Sequence, residues 1–181
     1  MALTNREILI GVTGGIAAYK TATLVSRLVQ AGAKVTVAMT PAAAKFVGPP
    51  TFAALTGRNV ATEVFDDADY PLGAHITLAQ KAELFCIAPA TANFLAKCAQ
   101  GLADDLLSTI YLATAAPVLM APAMNAEMWA KPATQRNVQQ LTADGVEFVD
   151  PGAGWLSCRQ EGKGRMAEPE EIMAAIAKRL A

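Results

Sequence analysis

Five short runs of strongly apolar or β-branched residues, at 8–12, 34–39, 84–88, 117–121 and 146–149, recur along this chain with helical periodicity between them. The first and third runs carry no alternating polar residues. A strand of that kind cannot turn one face to water, so it belongs in a sheet covered on both sides. Strands alternating with helices build βαβ units and a mostly parallel sheet between two helical layers, with right-handed crossovers. Helices are expected at 16–30, 76–81, 91–98, 106–113, 134–143 and 169–180. Shorter helices are expected to open at Pro41 and Pro50, the second ended by Gly57. A weak strand at 60–65, an acidic loop at 66–73 and a glycine-rich loop at 151–166 complete the expected order. Ligands in such folds bind beyond the carboxyl ends of the strands. That directs attention to 13–15, 39–41, 89–93, 122–125 and 151–166.

The 181 residues suit one α/β domain covering 1–181. Hydrophobic residues make up 53% and charged residues 17%. This apolar surplus fits burial against copies of the same chain, because obligate homo-oligomer interfaces are apolar. The net charge of −1 argues against nucleic acid or anionic lipid as a partner. The stretch 113–124 is interrupted by Pro117 and Pro122, and no apolar run reaches the roughly 20 residues a membrane-spanning helix needs. The polar N-terminus does not read as a signal peptide, so a cytoplasmic location is expected. The three cysteines form neither a disulfide framework nor a metal pair. Cys86 and Cys98 fall in a strand and a helix and read as core, whereas Cys158 stands apart in the glycine-rich loop.

Thr13-Gly14-Gly15-Ile16 joins the first strand to the first helix, a setting in which a helix N-terminus receives a phosphate. Ala17 and Ala18 exclude the dinucleotide G-x-G-x-x-G, and the spacing to Lys20 excludes a P-loop, so a mononucleotide is favoured. Pro89-Ala90-Thr91-Ala92-Asn93 is a second strand-to-helix junction, where Thr91 and Asn93 either hold an anion or cap the helix. Asp104 and Asp105 precede another helix; without neighbouring histidines or further acids they do not make a metal site. His75 is the only histidine and titrates near neutrality when unperturbed. Asn125 follows a buried strand within Pro122-Ala123-Met124-Asn125-Ala126-Glu127-Met128-Trp129, and its amide can orient a carboxylate. Around Cys158, the side chains of Arg159, Lys163 and Arg165 favour a thiolate or an acidic substrate, and the surrounding glycines allow a flap.

Taken together, these motifs resemble the flavin-containing cysteine decarboxylases, in particular those acting on phosphopantothenoylcysteine in coenzyme A synthesis. The segment at 122–129 fits the P-x-M-N-x-x-M-W signature, and Thr13 to Lys20, His75-Ile76, Ala88 to Asn93, Gly101 to Leu107 and Gly164-Arg165-Met166 match as well. The resemblance implies a three-layer Rossmann-like, flavodoxin-like fold. It implies FMN held by Gly14, Gly15, Ile16, Thr40, Pro89, Ala90, Thr91, Asn93, Asp105 and Met124. His75, Asn125 and Cys158 then correspond to the catalytic residues, with Asn125 fixing the substrate carboxylate and Cys158 protonating the last intermediate. Met128, Arg159, Lys163 and Arg165 are expected on the substrate.

The implied reaction converts 4'-phospho-N-pantothenoylcysteine into 4'-phosphopantetheine. A homotrimer or homododecamer is implied, with sites between subunits, together with functional coupling to a phosphopantothenate–cysteine ligase. Arg159 stands where these decarboxylases usually carry glycine, and the chain corresponds to a stand-alone enzyme or an excised domain. A peptidyl-cysteine decarboxylase making an aminoenethiol, or a flavin-binding regulatory subunit, are the alternatives.

Overall fold

The computed structural model describes residues 3–65, 70–155, 159 and 161–181. Five strands, β1 (Glu7–Val12), β2 (Lys34–Met39), β3 (Leu84–Ala90), β4 (Val118–Pro122) and β5 (Glu147–Phe148), pair in parallel in the order β2-β1-β3-β4-β5. This is the flavodoxin-like order, in which the chain reverses its direction of progress between β1 and β3. The helices are α1 (Ala18–Gln30), α2 (Pro49–Thr56), α3 (Ala74–Lys81), α4 (Ala92–Ala99), α5 (Leu106–Ala113), α6 (Ala126–Ala130), α7 (Pro132–Ala143) and α8 (Pro169–Arg179).

The apolar runs divide between two cores because successive strand residues point to opposite faces. Ile8, Ile10 and Val12 join Leu24, Leu28, Ile172 and Ile176 of α1 and α8 on one side. Leu9, Phe85 and Ile87 join Leu78, Phe94, Leu107 and Leu141 of α3, α4, α5 and α7 on the other. Cys86 and Cys98 lie in these cores, and burial pushes both thiols up to about 12, which keeps them protonated and unreactive.

Three expectations change. The segment 60–65 contributes a single bridge, Ala61 to Ala38, and no strand. Asn125 starts a five-residue helix, α6, that sequence periodicity does not announce. Most of the expected loop at 151–166 is an antiparallel hairpin of β6 (Gly152–Trp155) and β7 (Glu161–Arg165). Glycine carries little strand propensity, so backbone pairing and docking form this hairpin where side chains would not.

At the amino ends of the strands, the Arg58 guanidinium donates to both oxygens of Glu7 (2.7 and 3.1 Å) and to Thr36 Oγ1 (2.8 Å), tying β1, β2 and the turn after α2. This bond holds the Glu7 carboxyl below its ordinary value of 4.5. A depressed carboxylate adds stability above its unfolded pKa and loses it as pH falls through the folded value. Glu7→Gln is therefore expected to cost about 1 kcal/mol at neutral pH. The gap from wild type should close in denaturant titrations as the pH falls below 4.5, and an undiminished gap would refute the ion pair's contribution.

Candidate functional site

Beyond the carboxyl ends of β1 and β3 the neighbouring segments part and open a cleft of about 1010 Å³. Its walls are the glycine turn at 13–17, Thr40 to Ala42, the start of α4, Asp104 and Asp105, the segment 123–128, and Trp155 with 164–166 from the hairpin. Of the expected cofactor contacts, Gly14, Gly15, Ile16, Thr40, Thr91, Asn93, Asp105 and Met124 line it. Pro89 and Ala90 are buried behind the wall that Thr91 and Asn93 present.

The two glycines of the turn have different reasons. A Cβ on Gly14 would come within 2.4 Å of the Ala42 Cβ, so that residue is small because the loop after β2 packs on it. A Cβ on Gly15 would meet only Thr91 Cγ2 at 3.6 Å and Pro89 Cγ at 3.8 Å, which is ordinary contact on the cleft side. The helix that follows, α1, has no side chain capping its N-terminus, whereas Thr91, Asp105 and Asn125 cap α4, α5 and α6. An uncapped N-terminus at the mouth of a cleft is a ready anion site.

The cleft's cations are already compensated. Lys97 bonds Asp104 (2.6 Å) and Asp105 (2.7 Å). Burial disfavours the Asp105 anion, but Lys97 and the N–H and hydroxyl of Ser108 outweigh it and hold the carboxyl below its usual range. The buried Lys20 ammonium (2.9 Å) and the Arg165 guanidinium (2.7 Å) share one oxygen of Glu168. Lys20 chiefly, by its hydrogen bond, lowers that carboxyl's pKa. Arg165 therefore lines the cleft as half of an ion pair. Lys163 lies 3.9 Å from Asp150 and 5.9 Å from the centre of the Trp129 ring, outside the cleft lining, as does the exposed Arg159. An anion entering here meets N–H and hydroxyl donors, with no unpaired ammonium in its described walls.

Asn125 lines the cleft with Met124 and Met128. Its Oδ1 accepts from the N–H groups of Glu127 (2.8 Å) and Met128 (3.4 Å), which orients the amide with its NH₂ as the donor end. The hairpin docks on this segment: Met124 N–H donates to Gly164 O at 2.9 Å, and a Cβ on Gly164 would lie 2.3 Å from Met124 O. The pairing skips Gly164 between Lys163 and Arg165, a bulge that turns its carbonyl toward Met124. Cys158 lies outside the described residues.

His75 sits in the first turn of α3 and does not line the cleft. Its Nδ1 is buried without a hydrogen-bond partner. Around the mouth, Ile16 (57% exposed), Tyr19 (60%), Met128 (47%) and Trp155 (63%) leave an apolar rim uncovered. Sequence reasoning reached Thr13 and Trp155 only within the segments 13–15 and 151–166 and Lys20 only as the end of a matching motif, and it did not single out Lys97. Among the described residues, no cluster of His, Cys, Asp and Glu suits a metal ion, and no helix is long and apolar enough to cross a membrane.

Comparison with known proteins adds to this geometry. The flavoprotein family model matches residues 1–181. The chain is 48% identical over 179 residues to the coenzyme A biosynthesis bifunctional protein CoaBC of Bacillus subtilis, covering 99% of this chain and 44% of that protein. It thus spans less than half the length of the curated relatives it matches. Among solved structures, the FMN-dependent cysteine decarboxylase SpaF superposes with a TM-score of 0.85 at 35% identity, over 99% of this chain and 97% of that one. A Cys→Ser variant of PPC decarboxylase complexed with pantothenoylaminoethenethiol gives 0.84 at 30% identity, over 95% and 96%.

The two glycines are separable by substitution. Gly14→Ala is expected to destabilise the fold by roughly 1–3 kcal/mol through overpacking against Ala42. Gly15→Ala should change stability by less than about 1 kcal/mol and act instead on ligand uptake. Thermal unfolding alongside flavin titration distinguishes the two; equal loss of stability would refute the assignment.

Proposed function

This chain belongs to the flavoprotein family, among its phosphopantothenoylcysteine decarboxylase-like members, and we propose that it is an FMN-dependent lyase converting 4'-phospho-N-pantothenoylcysteine into 4'-phosphopantetheine. The observation that carries this reading is the meeting, in one cleft, of the uncapped α1 N-terminus with the Asn125 segment. The first suits a mononucleotide phosphate at the β1/β3 switch point. The second offers an oriented amide to a carboxylate.

The residues fit FMN. The amides opening α1, with the hydroxyls of Thr40 and Thr91 and the amide of Asn93, would hold its phosphate; Met124 and Asp105 border the remaining space. FMN would supply a reversible two-electron sink, which the substrate needs because the carbon bearing its carboxylate cannot otherwise accept the electrons of the departing carbon dioxide. Asn125 would hold that carboxylate against the Met124 wall until it leaves. His75 would manage the proton of the reacting thiol, and Cys158 would protonate the enethiol carbon in the closing reduction.

His75 does not line the cleft of its own chain, so we propose that it serves the cleft of a neighbouring copy in a trimer or an assembly of trimers. The exposed Leu72 and Ile76 beside His75, with Leu112 on the adjacent α5, support this reading. The assignment carries with it a cytoplasmic location, one domain over 1–181 and coupling to a phosphopantothenate–cysteine ligase.

Mass spectrometry of the purified protein's reaction with 4'-phospho-N-pantothenoylcysteine tests the assignment. Loss of carbon dioxide alone supports it. Loss of carbon dioxide and two hydrogens means the reductive half does not operate, and turnover of cysteine-ended peptides alone would replace it with a peptidyl-cysteine decarboxylase. Asn125→Asp, which sets a carboxylate against a carboxylate, and His75→Asn should each lower turnover by at least about 100-fold while FMN stays bound. Near-normal turnover in either would remove that residue's role.

A further inference from the structure

We infer that the Thr13 hydroxyl is a positioning group that sets the gap between the two walls of the cleft, and so governs flavin affinity without donating a hydrogen bond to the flavin. The inference rests on the FMN reading above. The β1–β3 ladder ends at the pair Gly11–Ile87. Beyond it, β3 runs through Pro89, which has no N–H to donate, and its register with β4 shifts between Ile87 and Ala90. The backbone ladder therefore stops short of both the glycine turn, which begins at Thr13, and the start of α4, capped by Thr91.

A side chain takes over at that step. Thr13, buried at the end of β1, donates its hydroxyl hydrogen to Pro89 O (2.6 Å) and accepts from Thr91 N–H (3.1 Å). Its backbone carbonyl also receives Gly15 N–H at 3.0 Å, so the same residue holds the glycine turn. Its hydrogen is committed to Pro89, which leaves none for a phosphate. The walls it joins hold the two helix starts, α1 and α4, that flank the proposed phosphate position.

Thr21 provides a matched comparison. It is equally buried and donates to Ala88 O at 2.7 Å, but it lies within α1 and does not line the cleft. Loss of its hydroxyl removes a buried hydrogen bond without freeing either cleft wall.

The test is FMN titration by flavin fluorescence, with amide exchange measured on the same proteins. Thr13→Val should raise the FMN dissociation constant by about tenfold or more, whereas Thr13→Ser and Thr21→Val should stay within about threefold of wild type. Wild-type affinity in Thr13→Val, failure of Thr13→Ser to restore it, or an equal loss in Thr21→Val would overturn the inference. Exchange in the unsubstituted protein decides it independently of any variant's folding. A slowly exchanging Thr91 amide supports the bridge, and one exchanging as fast as an exposed amide refutes it. A wild-type protein that takes up no FMN would sink the cofactor reading, while the exchange result would still decide the bridge.

Discussion

The pairing of β1 with β3 is the constraint from which the rest of this molecule follows. Both strands are buried on both faces, so their side chains must satisfy two cores at once, and their contact is close. A Cβ on Gly11, at the last step of that ladder, would lie 3.0 Å from Leu107 on α5 and from Phe85 on β3. The tight fit brings α5 down onto the sheet and holds the carboxyl ends of β1 and β3 side by side. Because the chain leaves β1 toward the β2 edge of the sheet and leaves β3 toward the β5 edge, the segments after them diverge. The cleft is a consequence of topology, and its chemistry depends on what those segments carry.

They carry little uncompensated charge. Each cation in the described walls meets a carboxylate of the same chain: Lys97 with Asp104 and Asp105, and Lys20 and Arg165 together with Glu168. Glu168 also begins α8 within a capping box, so one carboxylate joins α1, the root of the hairpin and the last helix. Such pairs fix the walls more than they attract ligands, since a satisfied ammonium has less to offer a phosphate. The anion recognition proposed for this cleft then falls to the N–H groups opening α1, where the dipole and the absent side-chain cap act in the same direction.

Much of this was legible in the sequence because it depends on local periodicity. The strand at 34–39, the strand expected at 84–88 and found at 84–90, the helix at 106–113 and the αL glycine ending α2 follow from apolar runs, β-branched residues and turn chemistry. The cleft lining from Gly14 to Ile16 and from Met124 to Asn125 follows from the rule that α/β folds bind ligands at strand ends. What escaped was set by distance. Lys20 finds Glu168 across 148 residues and Thr13 finds Pro89 across 76, and no local pattern encodes either meeting. The need for glycine at 14 arises from Ala42, and the need at 164 from Met124. A sequence shows that a glycine is present, but not which neighbour excludes a side chain there.

Arg159 shows how the same distinction works in reverse. Its identity departs from the glycine that the sequence resemblance leads one to expect at this position, and its backbone has φ of +63°, in the left-handed region that glycine enters without penalty. A side chain there costs about 1–2 kcal/mol, so the residue's own preference does not create the conformation. Pairing from Trp155–Glu161 to Gly152–Arg165 fixes both strands of the hairpin, and the Gly164 bulge anchors one of them to Met124 while Arg165 meets Glu168. The two strands of the hairpin are thus held at their root, beside the Asn125 segment. The same attachment couples the hairpin to the wall on which the substrate carboxylate is proposed to rest.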